Sequence, residues 1–208
     1  MRILCLSWTR NPVQQRPYAW TATEPGELFT SGIAEELSVS FPTTSFIRFD
    51  ASNRDTGKTY RNYSRELVTP DGPVDLDLPS RWRELVEDLL SPEYRRSVAQ
   101  LLGQPDAAKL EIRLVRHSPG DWLGPHTDRA DKIFSHVVYF NPVWREEWGG
   151  CIEILDSAQG GAAVARVVPR LGASVLIEVS DRSWHQVSKV ADDNQSERRS
   201  LLIHGLRA

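Results

Sequence analysis

The stretch LEIRLVRHSPGDWLGPHTD, residues 110–128, decides the fold. Leu110, Ile112 and Leu114 alternate with Glu111 and Arg113, a period of two that reads as a β-strand over Leu110–Arg116. Pro119-Gly120 then turns the chain, and Gly124-Pro-His-Thr-Asp128 follows. In extended backbone residues i and i+2 share a face, so His126 and Asp128 project to the same side. A neutral imidazole and a carboxylate so placed are two of the three ligands of a 2-His-1-carboxylate site for non-haem Fe(II). Alone the spacing is weak, because five histidines and fourteen aspartates make a chance His-x-Asp common.

Downstream the period of two persists. Further candidate strands are 132–140, 151–155, 164–168, 174–179, 185–190 and 198–203, separated by turn residues such as Asn141-Pro142, Gly149-Gly150, Gly160-Gly161 and Asp192-Asp193-Asn194. Short strands at this spacing predict an eight-stranded jelly roll. Upstream of residue 104 the texture is helical. Pro25-Gly26-Glu27 opens a helix to about Leu37. Ser80 reads as the N-cap of a second, with Trp82, Leu85, Val86, Leu89 and Leu90 on one face, and 94–102 forms a third that ends at Gly103. Arg2–Trp8 reads as a first strand, and Asp50–Asp77 as a long loop with short strands. The expected class is α+β, mainly β: one domain, with residues 1–104 as helical and loop support and 105–208 as the jelly-roll core.

Composition narrows the function classes. The 208 residues are 40% hydrophobic and 25% charged, which excludes a collagenous or wholly disordered chain. A net charge of −3 argues against a general nucleic-acid or anionic-membrane binder. The two cysteines, Cys5 and Cys151, lie too far apart in sequence for a zinc ribbon, and a cytoplasmic setting is expected. No apolar run approaches the ~20 residues of a membrane span.

A third metal ligand must come from elsewhere, and His185 in Trp184-His-Gln-Val187 is the candidate. Thirteen residues on, Arg198 and Ser200 share one strand face and Arg199 takes the other. An inward Arg beside a hydroxyl suits the far carboxylate of a dicarboxylate. Residues 110–205 resemble the Fe(II)/2-oxoglutarate-dependent oxygenases, particularly their prolyl-hydroxylase-like branch. Five blocks carry the resemblance in order: Arg116-His-Ser-Pro-Gly-Asp121 leading to Gly124–Asp128, Val138-Tyr-Phe-Asn-Pro142, Trp148-Gly-Gly-Cys-Ile-Glu153, Trp184–Val187 and Arg198-Arg-Ser200.

The resemblance implies a double-stranded β-helix in which His126, Asp128 and His185 bind Fe(II). It implies that Arg198 pairs with the C5 carboxylate of 2-oxoglutarate, with Ser200 assisting and the Tyr139 hydroxyl at the same carboxylate. It further implies oxidative decarboxylation of 2-oxoglutarate with O₂ to succinate and CO₂, coupled to hydroxylation of a C–H bond. Halogenation is disfavoured because Asp128 fills the place where family halogenases carry Gly or Ala. His117 stands where the family often has Tyr.

The expected substrate is a small amino-acid-like or natural-product-pathway molecule. The alternatives are a protein prolyl side chain and a non-catalytic jelly-roll sensor. Nucleic acid and membrane are not expected partners. The segment 48–65, with Arg48, Arg54, Lys58, Arg61 and Arg65, reads as a solvated basic loop or, less readily, as a lid for a carboxylate or phosphate. Trp122 is a candidate for the substrate side. His136 is expected in the core or just behind the site, His204 as structural, and Gly149-Gly150 as a turn.

Overall fold

The computed structural model describes residues 2–51, 59–74, 77–158 and 162–208. Three α-helices, α1 (Ile33–Val39), α2 (Ser80–Leu90) and α3 (Pro92–Leu102), accompany twelve strands in one antiparallel array. The strands are β1 (Trp20–Thr23), β2 (Ile47–Ala51), β3 (Tyr60–Thr69), β4 (Gly72–Pro73), β5 (Lys109–His117), β6 (Trp122–His126), β7 (Lys132–Tyr139), β8 (Ile152–Ile154), β9 (Ala165–Val167), β10 (Ser174–Glu178), β11 (His185–Val187) and β12 (Arg198–Leu206).

The pairing order is β1-β10-β7-β12-β5-β3-β6-β11-β8-β9. Strands β5 to β12 are the eight of a double-stranded β-helix. Strands β5, β12, β7 and β10 make the larger wall, and β6, β11, β8 and β9 the smaller. Strand β3 pairs β5 through Tyr63–Val68 and β6 through Tyr60 and Arg61, so it bridges the two walls.

Strand β7 is buried along its whole length, as expected of a strand covered on both faces. Outward, Phe134 and Val138 join Leu110, Ile112, Leu114, Leu201 and Ile203 in a core closed by Trp82, Leu85 and Leu89 of α2 and Tyr94 and Val98 of α3. Inward, Val137 and Tyr139 meet Ile152, Ile154, Val175, Ile177 and Val187 between the walls. The periodic apolar residues of α2 and α3 thus cover the larger wall from outside. No helix among the described residues is long and apolar enough to cross a membrane.

Several local expectations change. Residues Arg2–Trp8 form no strand: Leu4 makes one bridge to Phe29, the chain turns in a 3-10 helix over Leu6–Arg10, and the Ile3 and Leu4 amides donate to Asp88 Oδ2 of α2 at 2.7 and 3.1 Å. Helix α1 starts only at Ile33, because Gly26 (φ 91°) and Gly32 (φ 82°) turn the chain in the left-handed region. Ser80 is inside α2; Pro79 is the cap, its carbonyl accepting from the Trp82 and Arg83 amides at 3.0 and 3.1 Å. Helix α3 starts at Pro92, capped by Ser91 Oγ, which accepts from the Tyr94 amide at 3.3 Å. Much of the expected loop 50–77 is the ten-residue strand β3.

Candidate active site

His126 ends β6 and His185 opens β11, and the two residues face each other across the ladder of the smaller wall. Their Nδ1 atoms lie 2.9 Å from the Gly124 carbonyl and 2.8 Å from the Ser183 carbonyl. A carbonyl only accepts, so Nδ1 carries the proton and Nε2 presents its lone pair, the tautomer a metal ligand needs. Asp128 follows β6, with Oδ2 3.7 Å from His185 Nε2. One donor atom from each of His126, Asp128 and His185 falls within 4.8 Å of the others. Two imidazole nitrogens and one carboxylate on one side suit Fe(II) with open positions opposite.

The carboxylate is held in turn. Ser135 Oγ donates to Asp128 Oδ2 at 2.6 Å, and Lys132 Nζ to Oδ1 at 3.1 Å. Burial opposes ionisation of Asp128, but His185, His204, Lys132 and His126 outweigh it and hold the carboxyl well below its usual range.

On the larger wall, Arg198 opens β12 and is 1% exposed. Its Nε donates to the Gly150 carbonyl at 2.7 Å, and its Nη1 to Ser200 Oγ at 3.0 Å. The guanidinium sits 5.0 Å from the centre of the Tyr139 ring. Among the described residues no carboxylate comes within 4.0 Å of it, although buried charges are ordinarily paired. Three further observations gather at the same place. The Tyr139 hydroxyl is buried without a hydrogen-bond partner, and so is His117 Nε2. His117 Nδ1 lies 3.4 Å from Arg198 Nη1. Burial and then Arg198 drive the His117 pKa well below its ordinary value, so the ring is neutral with its proton on the orphaned Nε2. Burial pushes the Tyr139 hydroxyl up to about 12, leaving it a donor at neutral pH. Donors of this kind, with no acceptor among the described residues, fit an incoming carboxylate.

His126, Asp128 and His185 line one cavity of about 790 Å³ between the walls together with Arg198, Ser200 and His117, with Val137, Ile177 and Leu202 among its apolar lining; Tyr139 is fully buried beside Arg198 and outside the lining. Its size suits a small ligand site. A hollow of about 430 Å³ between α1 and α2, lined by Glu35, Glu36 and Arg81, holds none of these groups.

Residues 112–203 match the 2OG-Fe(II) oxygenase superfamily. The match takes in 92 of the 208 residues, with all six expected site residues among them, and makes this segment similar to that superfamily. Fe(II) and 2-oxoglutarate are the metal and co-substrate of the family, and the donor sets above fit both. Prolyl 3-hydroxylase OGFOD1 of Xenopus laevis is 28% identical over 126 residues, which are 57% of this chain and 25% of that protein. The mouse protein of the same name is 24% identical over 52% of this chain and 21% of its own length. The chain therefore spans about a quarter of the curated relatives it matches. In fold it is similar to a prolyl-4-hydroxylase of Pseudomonas putida, with TM-score 0.62 and 17% identity over 91% of this chain and 92% of that one. It is also similar to a Trichoplax adhaerens prolyl hydroxylase solved with a hypoxia inducible factor peptide, with TM-score 0.68 and 12% identity over 90% and 83%.

The structure brings all six expected site residues to this cavity region: His126, Asp128 and His185 on one side, Arg198, Ser200 and Tyr139 on the other. Arg199 points away, over the Phe41 ring at 5.5 Å. His136 is fully buried among Tyr94, Ser174 and Trp8. Gly149-Gly150 is more than a turn, since the Gly150 carbonyl holds Arg198.

Three readings change. His204, expected as structural, lines the cavity. Trp122 is absent from the lining; its Nε1 donates to Thr59 at 3.2 Å, Arg61 stacks on its ring at 5.0 Å, and Trp184 lines the cavity instead. Arg48, Arg61 and Arg65 sit on the β2–β3 hairpin, tied to Asp50, to Tyr63 and to the Thr44 and Asp77 carbonyls. Arg54, Asp55 and Lys58 lie outside the described residues.

Proposed function

We propose that the protein is a 2-oxoglutarate-dependent dioxygenase that hydroxylates a C–H bond of a small, amino-acid-like molecule. In this reading His126, Asp128 and His185 hold Fe(II), and Arg198, Ser200, Tyr139 and His117 hold the C5 carboxylate of 2-oxoglutarate. The metal, when bound, supplies activation of O₂ and release of succinate and CO₂. The chain's own groups orient the co-substrate, keep the carboxylate ligand ionised, and exclude water with the apolar lining. The carrying observation is the buried Arg198 without a carboxylate partner, facing the ligand cluster across one cavity. A cavity sunk between the walls favours a small substrate. The two unpaired cysteines fit a cytoplasmic setting.

Anaerobic addition of Fe(II) and 2-oxoglutarate gives a weak visible charge-transfer band, which His126→Ala abolishes along with succinate release. Absence of the band in the folded wild type, or turnover in the variant, overturns the reading. A second reading, hydroxylation of a prolyl side chain in a peptide, draws on the names of the relatives and on β2, an exposed strand that among the described residues pairs only with β3. A screen scored by substrate-dependent succinate and a gain of about 16 Da, one oxygen atom, separates the two. If only peptides gain oxygen, the small-substrate reading is wrong.

A further inference from the structure

Beyond Asp128, away from Arg198, the cavity wall carries a second group of charges. On β5 the face that ends in His117 carries Glu111 and Arg113. On β12 the face that begins at Arg198 continues to His204. Lys132 opens β7. Lys132 Nζ stands 3.2 Å from His204 Nε2. An ammonium only donates, so Nε2 accepts and the ring proton sits on Nδ1, which lies 3.5 Å from Glu111 Oε2.

Arg113 Nη2 is 3.4 Å from that same Nδ1. With the ring proton on Nδ1, that contact sets two N–H donors against each other and is a weak one. Glu111 is 4.0 Å from Arg113 and is engaged by Arg129 at 2.9 Å. Glu66, opposite Arg113 in register on β3, stands beyond ion-pair distance. Among the described residues, then, the partners of the Arg113 guanidinium are the His204 ring and Glu111, which stands 4.0 Å away and is shared with Arg129, and no carboxylate lies within hydrogen-bonding distance of it. It nonetheless lines the cavity, with its side chain 32% exposed.

The charges around it are unbalanced. Among the described residues lining the cavity Asp128 is the sole carboxylate, against Arg113, Arg129, Lys132 and Arg198. Bound Fe(II) and 2-oxoglutarate would cancel each other, and Asp128, Asp131 and Glu111 offset three of the four cations, which leaves one positive charge over. The remaining positive charge is shared by Arg113, Lys132 and Arg198. Arg113 and His117 are four residues apart on one face, ~13 Å along the strand. An anion at Arg113 therefore does not compete with a carboxylate at Arg198.

We propose that Arg113, with Lys132 behind it, is a substrate subsite for an anionic group, a carboxylate or a phosphate. The proposal rests on the dioxygenase reading above and names its substrate class: a small acid whose reacting C–H is presented to the metal while its anionic end is held on β5. It moves the anion-recognition role from the 48–65 segment, where the sequence suggested it, to the barrel wall.

The test uses the full chain loaded with Mn(II) and 2-oxoglutarate, titrated calorimetrically with methylphosphonate, with acetate, and with neutral acetamide. The expected result is saturable one-to-one binding of an anion and none of acetamide. Tighter methylphosphonate assigns a phosphate, and tighter acetate a carboxylate. Arg113→Gln weakens the anion by roughly 10- to 100-fold, the range for a hydrogen bond to a charged group. Arg113→Lys, which keeps the charge, stays within about tenfold of wild type and separates lost charge from lost fold. Arg145→Gln, a charge removed from the exposed surface, changes nothing. Absence of saturable anion binding, equal binding of acetamide, or a folded Arg113→Gln that binds as wild type does overturns the proposal. If Mn(II) and 2-oxoglutarate themselves fail to bind, it is the dioxygenase reading that has failed.

Discussion

Replacing Arg198 with Met tests the co-substrate site through two quantities that move differently. The guanidinium is 1% exposed, without a carboxylate partner among the described residues, and its best hydrogen bond is to the Gly150 carbonyl at 2.7 Å. In the free protein the substitution orphans that carbonyl, costing ~1–3 kcal/mol. It also removes a buried unpaired charge, whose desolvation penalty is several kcal/mol. The two effects oppose, so the free variant is expected within ~2 kcal/mol of wild type.

In the complex they do not oppose. Truncating one partner of a buried charge pair costs ~2–5 kcal/mol, which is a roughly 30- to 4,000-fold loss of 2-oxoglutarate affinity. The assay is denaturant unfolding of the Mn(II)-loaded protein with and without 2-oxoglutarate, paired with calorimetric titration. At a hundred times its Kd the co-substrate stabilises the wild type by ~2.7 kcal/mol, and at the same concentration it leaves the variant unmoved. A variant that binds 2-oxoglutarate as tightly as wild type refutes the assignment. A free variant destabilised by 4 kcal/mol or more, on the order of a broken buried pair, shows instead that Arg198 is a structural residue.

Two further outcomes concern stability. Burial holds the His136 pKa down at about 3 in the folded chain, against 6.5 for the free side chain. The unfolded state takes the proton first, so stability is constant above pH 6.5 and falls as pH drops toward 3, by ~3 kcal/mol at pH 4 from this residue. His136→Gln removes that share of the slope in urea unfolding from pH 7 to 4, while His204, also lowered by burial to about 4, retains its own; an unchanged slope refutes the account. A Cβ added at Gly205 lies 2.2 Å from Phe134 Cε1. Gly205→Ala is expected to cost ~1–3 kcal/mol or more through overpacking, and Phe134→Leu in the same chain to recover part of it. A neutral Gly205→Ala counts against this packing.

Most of the strands that carry the site are legible because their outer faces are apolar and their inner faces carry chemistry; β6, which carries His126, is not among the expected strands. Arg198, Ser200 and His204 against Leu201 and Ile203 give a clear period of two. Strand β3 was hidden for the same physical reason in reverse. Tyr60, Asn62 and Ser64 line the cavity, and Arg61 and Glu66 lie on the hairpin's outer side or in solvent, so neither face supplies the apolar alternation that marks a strand. The start of α1 was misjudged because left-handed glycines before it are a backbone fact that composition only hints at. His117 carried a signal, as a departure from the family at a place next to the anion site. Arg113 carried none, being one of 25 basic residues until the fold set it on the cavity wall beside His204, with its nearest carboxylate 4.0 Å away.

The division of the site between two walls has a mechanical consequence. His126 and His185 ride on the smaller wall, Arg198 and Tyr139 on the larger, and β3 is the strand that stitches them together. On the proposed assignment, a dicarboxylate held at the metal at one end and by Arg198 at the other would be a rivet through two plates. The chain length of the diacid would then be gauged by the gap between the plates rather than by any one side chain. Loosening β3, which supplies none of the proposed ligand atoms, would widen that gap and blunt the discrimination between diacids of different length.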